Sequence, residues 1–156
     1  MLDARKEEII QQQIQGWLAQ EENLEIMSSG EDMRHGYFFS WRVQRTELRE
    51  CNVNIENNVE RVNIITNVNL PGAEIAANRI IVNTIDFLGA LELNLEERGA
   101  RVQVVATPDI EHLDGLQFGR VISFDELTRD GLIDAIQNVI DSIDLAQDLF
   151  ARFSTT

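Results

Sequence analysis

The sequence predicts an α+β fold, an antiparallel sheet combined with three main helices. Two observations predict it. The spacing of apolar residues alternates along the chain between the three-to-four-residue period of helices and the two-residue period of strands. The predicted strands also follow one another closely, while long helical segments separate the groups of strands. The order is helix, strands, helix, two strands, helix, within one predicted domain over residues 1–156.

The first helix is predicted from about Ala4 to Ala19. Its apolar residues fall on one stripe at steps of four, three and one. Leu24 and Ile26 then indicate a short strand, and residues 28–36, rich in Ser, Gly and acidic residues, indicate a turn. The stripe consists of Ile10, Ile14, Trp17 and Leu18.

Three further strands are predicted where apolar and polar residues alternate, over residues 37–43, 51–55 and 62–68. Asn57-Asn58 between the last two favours a tight hairpin, because asparagine tolerates the left-handed conformation. A two-residue loop there pairs Val53 with Val62 but leaves Ile55 opposite Glu60.

The second half begins where Pro71-Gly72 ends the sheet and a helix runs from about Ala73 into the nineties. Strands are predicted over residues 102–106 and 118–124, and Ser123 with Glu126 forms a capping box for the last helix. That helix, predicted to about Arg152, has an apolar stripe at Leu132, Ile136, Val139, Ile143, Ala146, Phe150 and Phe153 and an acidic face at Asp130, Asp134, Asp141, Asp144 and Asp148.

The composition excludes several classes of function. A net charge of −14 over 156 residues repels phosphate backbones and anionic membrane surfaces, so neither nucleic acid nor a membrane is an expected partner. The chain has no run of about 20 apolar residues and no signal-peptide pattern at its start. Cys51 is the sole cysteine, which is typical of a reducing compartment, and we predict a cytoplasmic protein.

No motif of catalysis or cofactor binding occurs, so the sequence predicts no enzyme, no cofactor and no metal. Three features bear on that expectation. The acidic segment Asp109–Asp114 is either a cation site or, more simply, a solvated loop. His35 is predicted to be an exposed turn residue instead of a general base. Cys51 is predicted to be a buried structural thiol, since nothing near it in sequence lowers its pKa.

Apolar residues outside the predicted core stripes form a candidate contact with a second subunit or a partner. Burial under neighbouring elements of the same chain is the alternative explanation. The long middle helix adds further candidates, and a dimer built on such contacts has to be mainly apolar to overcome the charge repulsion. The candidates are Phe38, Ile81, Ile85, Leu88, Leu145 and Leu149.

In size, acidity, element order and its amphipathic last helix, the chain from Asp3 to about Phe153 resembles the type III secretion chaperone-like superfamily, in particular its cyanobacterial and plastid branch. The resemblance implies a homodimeric, non-enzymatic module that binds another polypeptide. The alternative is a small-ligand-binding or hydrolytic domain that uses carboxylates. A shallow apolar groove on the sheet or first helix favours the former, and a deep pocket lined by Asp or Glu favours the latter.

Overall fold

The structure is a computed structural model that describes residues 2–47, 49–68, 89–95, 97, 103–106 and 116–154. Helix α1 is followed by four strands, a helical segment, two more strands and a long last helix, so the predicted α+β order is confirmed. The elements are α1 (Leu2–Gln20), β1 (Glu25–Asp32), β2 (Tyr37–Thr46), β3 (Arg49–Glu56), β4 (Arg61–Val68), α2 (residues 89–95), β5 (Gln103–Ala106), β6 (Leu116–Ser123) and α3 (Arg129–Ser154), with 3₁₀ turns at Met33–His35 and Phe124–Glu126.

The strands of the described part of the chain form one six-stranded sheet in the order β1-β2-β3-β4-β6-β5. Strands β1 to β4 pair as consecutive antiparallel neighbours, and β5 pairs antiparallel with β6. Antiparallel neighbours need only short connections, which agrees with the short spacings in the sequence.

The β3–β4 hairpin differs from the predicted register by two residues. Ile55 lies opposite Val62, and Val53 lies opposite Ile64. The loop therefore holds four residues, 57–60, instead of two. A shift of two keeps every side chain on its predicted face, since successive strand residues alternate between faces. It also replaces the unfavourable pairing of Ile55 with Glu60 by an apolar pair.

Strand β1 covers most of the segment that was predicted as a turn, and this prediction was wrong. The side chains of β1 are mostly polar and exposed, so the strand has no alternating apolar pattern to stabilise it. It is stabilised by its pairing with β2. The turn itself is confined to Met33–His35 and Gly36, which has the left-handed φ of 82° that glycine accommodates. Phe38 interrupts the alternation of β2 because the pairing with β3 shifts register between Tyr37 and Phe39, as at a β-bulge.

Helix α3 begins six residues after the predicted cap. Ser123 makes no capping side-chain bond and precedes only the 3₁₀ turn. The cap is instead Thr128, whose Oγ1 accepts a hydrogen bond from the Gly131 N–H at 3.0 Å. A Cβ on Gly131 would lie 2.9 Å from that oxygen, so glycine at this position leaves room for the cap.

Buried apolar residues lie in strands β2, β3, β4 and β6 and in all three helices. Trp41, whose indole Nε1 donates to Gln15 Oε1 at 2.7 Å, is fully buried beside α1. The predicted acidic face of α3 is confirmed, since its five Asp residues are exposed. The buried arc of α3 is wider than the predicted stripe, and it comprises Leu132, Ala135, Ile136, Val139, Ile140, Ser142, Ile143, Leu145, Ala146 and Leu149.

The chain divides into two compact units, each built from two separate segments. The first unit comprises residues 1–65 and 120–137, and the second comprises 66–119 and 138–156. Because the segments of the two units alternate along the chain, a single domain over residues 1–156 stays a prediction. Within the described residues, no helix combines the length and apolar character needed to cross a bilayer.

Candidate functional site

An open groove of about 170 Å³ lies within the first unit, where α1, the β3–β4 loop and the 3₁₀ turn after β6 meet. Its apolar surface comes from two adjacent isoleucines of α1 and one aromatic ring. Charged side chains line the rest. The lining consists of Lys6, Ile9, Ile10, Glu60, Phe124 and Asp125.

Three contacts hold the β3–β4 loop in place as one wall of this groove. The buried carboxylate of Glu7 accepts the backbone N–H of Asn58 at 2.9 Å. The N–H of Phe124 donates to the carbonyl of Glu60 at 3.0 Å. On the exposed side, Lys6 Nζ lies 2.7 Å from Glu60 Oε1. The loop is therefore fixed both to α1 and to the 3₁₀ turn.

The backbone of the loop is unusual at two positions. Asn58 and Glu60 have φ angles of 63° and 57°, in the left-handed region. Asparagine visits this region readily, but glutamate does so at a cost on the order of 1–2 kcal/mol. A strained residue that persists in a folded protein is a pointer to function, and Glu60 lines the groove.

The two isoleucines of the groove differ in their exposure to solvent. Ile10 belongs to the buried stripe of α1 and is 9% exposed, whereas Ile9 is 52% exposed. Phe124 is half-buried, and Asp125 is exposed. Ile9 therefore adds exposed apolar surface at the edge of the groove.

The electrostatics of the groove are acidic at one end. Lys6 is engaged with Glu60, and both side chains remain about half exposed. Asp125 and its neighbour Glu126 are exposed and form no ion pair with any residue that the structure describes. Among the described residues, Asp125 therefore places a carboxylate without an ion pair beside the apolar lining.

A second, polar hollow of about 250 Å³ lies on the sheet at β1 and β2, also within the first unit. Its basic residue, Arg42, is paired with Glu50 at 2.9 Å. The buried hydroxyl of Ser40 makes no hydrogen bond to the described residues. The hollow is lined by Ser28, Ser29, Gly30, Glu31, Asp32, Ser40, Arg42 and Asn52.

The residues weighed for catalysis occupy structural or solvated positions. Cys51 is buried, and burial raises the pKa of its thiol to about 12, so it stays protonated at neutral pH. His35 is exposed beside Asp32, with Nδ1 and Oδ1 2.7 Å apart. No three His, Cys, Asp or Glu side chains of the described ranges gather as metal ligands would. The segment Asp109–Asp114 lies outside the described residues.

Of the predicted contact residues, the structure describes Phe38, Leu145 and Leu149, and none of these three is exposed. Leu145 and Leu149 are each only 6% exposed, so burial within the chain, the alternative considered for them, accounts for both. Phe38 is half-buried at the bulge of β2. The remaining three candidates, Ile81, Ile85 and Leu88, lie outside the described residues.

Sequence reasoning missed the groove. Ile9 falls next to the predicted α1 stripe, and a large apolar residue beside such a stripe was the available signal. Phe124 was assigned to the end of a strand, and no local pattern places it near α1. The Glu60 carbonyl that fixes it is 64 residues away in the chain.

No protein-family model matches the chain, and no curated protein matches it. The fold is similar to a crystal structure of an uncharacterized protein from Methanothermobacter thermautotrophicus. The two share 19% sequence identity with a TM-score of 0.68, over 91% of this chain and 96% of that one. At this identity the likeness is one of fold, and it places the chain with a known α+β architecture.

Proposed function

We propose that this chain is a non-enzymatic, chaperone-like or assembly-type module that binds another polypeptide in the cytoplasm and works as a homodimer. The proposed binding site is the α1 groove, defined as the hollow lined by Lys6, Ile9, Ile10, Glu60, Phe124 and Asp125. The resemblance in element order, size and acidity to the type III secretion chaperone-like superfamily motivates the same proposal.

The observation that carries the proposal is the open, partly apolar shape of this groove on the first helix. Ile9, with half of its surface exposed, stands at the rim, and Ile10 and Phe124 extend the apolar surface inward. Protein-binding sites typically bury such an apolar centre within a polar rim. The alternative, a carboxylate-based hydrolytic or small-ligand-binding domain, requires an enclosed pocket in which acidic groups converge.

Site-specific photo-crosslinking tests the binding function. A benzophenone amino acid placed at Ile9 reports on the groove, and the same group at Val121, an equally exposed residue outside it, is the matched control. In cells of the native source, we expect discrete polypeptide adducts from position 9 and none at the same masses from position 121. Adducts of equal yield from both positions, or none from position 9, contradict the proposal.

The homodimer is tested by light scattering coupled to gel filtration at low micromolar concentration. Two chains of net charge −14 repel each other, so an apolar contact has to outweigh the repulsion. We expect twice the monomer mass of 17.8 kDa, with association unchanged or tighter at high salt. The monomer mass at both low and high salt refutes the dimer. Dissociation as salt rises indicates that ion pairs hold it.

A further inference from the structure

We infer that the α1 groove receives one large apolar side chain that lies next to an arginine or lysine in the partner polypeptide. The inference rests on the proposed function and specifies the chemistry of its partner. Two independent properties of the groove support it, its size and its charge.

The size of the groove fits one anchor side chain. An apolar cavity of about 150 Å³ takes up a molecule of benzene, and the groove measures about 170 Å³. Ile10 and Phe124 supply the inner apolar surface, while Ile9 supplies the rim. One aromatic or branched aliphatic side chain fills this space. Binding energy at protein interfaces commonly concentrates in such single buried anchors.

The charge of the groove favours a basic residue next to that anchor in the partner polypeptide. Lys6 already pairs with Glu60 at 2.7 Å, so a carboxylate of the partner has to compete with Glu60 for it. Asp125 and Glu126, in contrast, form no ion pair with a described residue and remain exposed. A cation placed beside them gains attraction, and the net charge of −14 steers basic segments toward the chain in general.

A displayed library of random 12-residue peptides tests both properties at once. The library is selected against the unmodified chain, against Ile9→Asp, and against Val121→Asp, a matched charge on an exposed residue outside the groove. We expect sequences with an aromatic or branched aliphatic residue beside Arg or Lys to be enriched by the unmodified chain and by Val121→Asp. Ile9→Asp should not enrich them.

One enriched peptide then gives the magnitudes by fluorescence anisotropy. Replacing its apolar anchor by alanine should weaken binding about 30-fold, as for a hot-spot residue. Asp125→Asn should weaken binding about 1.5- to 5-fold, as for an exposed ion pair, and this effect should vanish at high salt. Circular dichroism checks that the variants are folded, and Ile9→Ser is the milder replacement should Ile9→Asp unfold.

Three results overturn the inference. These are the absence of any enriched motif, enrichment of acidic residues beside the anchor, and equal selection by the Ile9 variants. Each can occur while the benzophenone at position 9 still captures a polypeptide, in which case the proposed function stands and only the chemistry of its partner is wrong. Failure of the crosslinking itself rejects the proposed function.

Discussion

Helices α1 and α3 each have a buried and an exposed face, but they differ in which residues occupy these faces. Helix α3 buries a wide arc of residues and covers its outer face with five exposed Asp residues. Helix α1 buries a narrower stripe, at Ile10, Ile14 and Leu18, and exposes Ile9 beside it. Helix α1 therefore leaves a large aliphatic side chain half exposed beside its buried stripe, at the α1 groove, whereas the outer face of α3 carries carboxylates.

The buried acid of α1 sharpens the contrast. The carboxylates of α3 lie on its solvent face, whereas Glu7 of α1 is 2% exposed and bonds the N–H of Asn58. A buried carboxylate is costly unless it is hydrogen-bonded. The hydrogen bond from the Asn58 N–H offsets this cost, and it holds in place the β3–β4 loop that forms one wall of the groove.

The largest expected effect compares one isoleucine from each helix. Ile136→Ala in α3 removes a fully buried side chain and should lower the free energy of unfolding by about 2–5 kcal/mol. Ile9→Ala in α1 should change it by less than about 0.5 kcal/mol, because Ile9 is half exposed. Urea titration of both variants measures the two values. Similar losses would remove the distinction between the helices.

The next effect concerns the two adjacent acids of α1. Glu7→Ala leaves the N–H of Asn58 without its acceptor and should cost about 1–3 kcal/mol. Glu8→Ala is the matched control, since Glu8 is exposed, and it should stay within about 0.5 kcal/mol. Thermal unfolding followed by circular dichroism provides the comparison. A tolerated Glu7→Ala would mean that the loop does not depend on α1.

The third effect tests the start of α3. Thr128→Ala should cost about 1 kcal/mol, the typical contribution of a helix cap. Gly131→Ala should bring no net gain in the unmodified chain, because its Cβ meets Thr128 Oγ1 at 2.9 Å.

In the Thr128→Ala background that obstacle is gone, and Gly131→Ala should then stabilise by about 0.8–1 kcal/mol through helix propensity alone. A double-mutant cycle measures the coupling between the two residues by urea titration. Additive effects would mean that the added Cβ does not meet Thr128 Oγ1, and an unchanged stability of Thr128→Ala would assign no capping role to Thr128.

The smallest effect belongs to the ion pair at the rim of the groove. Lys6 and Glu60 are each about half exposed, so a cycle of Lys6→Gln and Glu60→Gln should give a coupling below about 1 kcal/mol. The coupling should decrease as salt rises from low to high concentration. A larger coupling that resists salt would show that the pair is a structural clamp comparable to Glu7.

Much of the fold could be predicted from local pattern. The acidic face of α3 and the faces of strands β2, β3 and β4 follow from residue periodicity, because burial of one face sets that period. The local pattern did not predict those features of the fold that depend on pairing with another segment of the chain. Strand β1 has polar side chains and forms because it pairs with β2. In the β3–β4 hairpin, the apolar pairing of Ile55 with Val62 determines the register, and the preference of Asn57-Asn58 for a tight turn does not.

The candidate site was less predictable, for a physical reason. Its residues come from α1, from the β3–β4 loop and from the turn after β6, and no spacing rule links Ile9 with Phe124. No local pattern predicts the burial of Glu7, because the N–H that donates to its carboxylate belongs to Asn58, 51 residues later in the chain. Thr128 could have been recognised as a cap, but the stronger local pattern of Ser123 and Glu126 concealed it.

The interleaving of the two units has a consequence for synthesis on the ribosome. The first unit begins with the N-terminal residues but needs residues 120–137, which are translated after the whole of the second unit's first segment, residues 66–119. At 5–20 residues per second, the 72 residues between positions 65 and 137 take roughly 4–14 s. The groove gains Phe124 and Asp125 only in this late stretch. A nascent chain therefore carries Ile9 for seconds before Phe124 and Asp125 are added and the lining of the groove is complete.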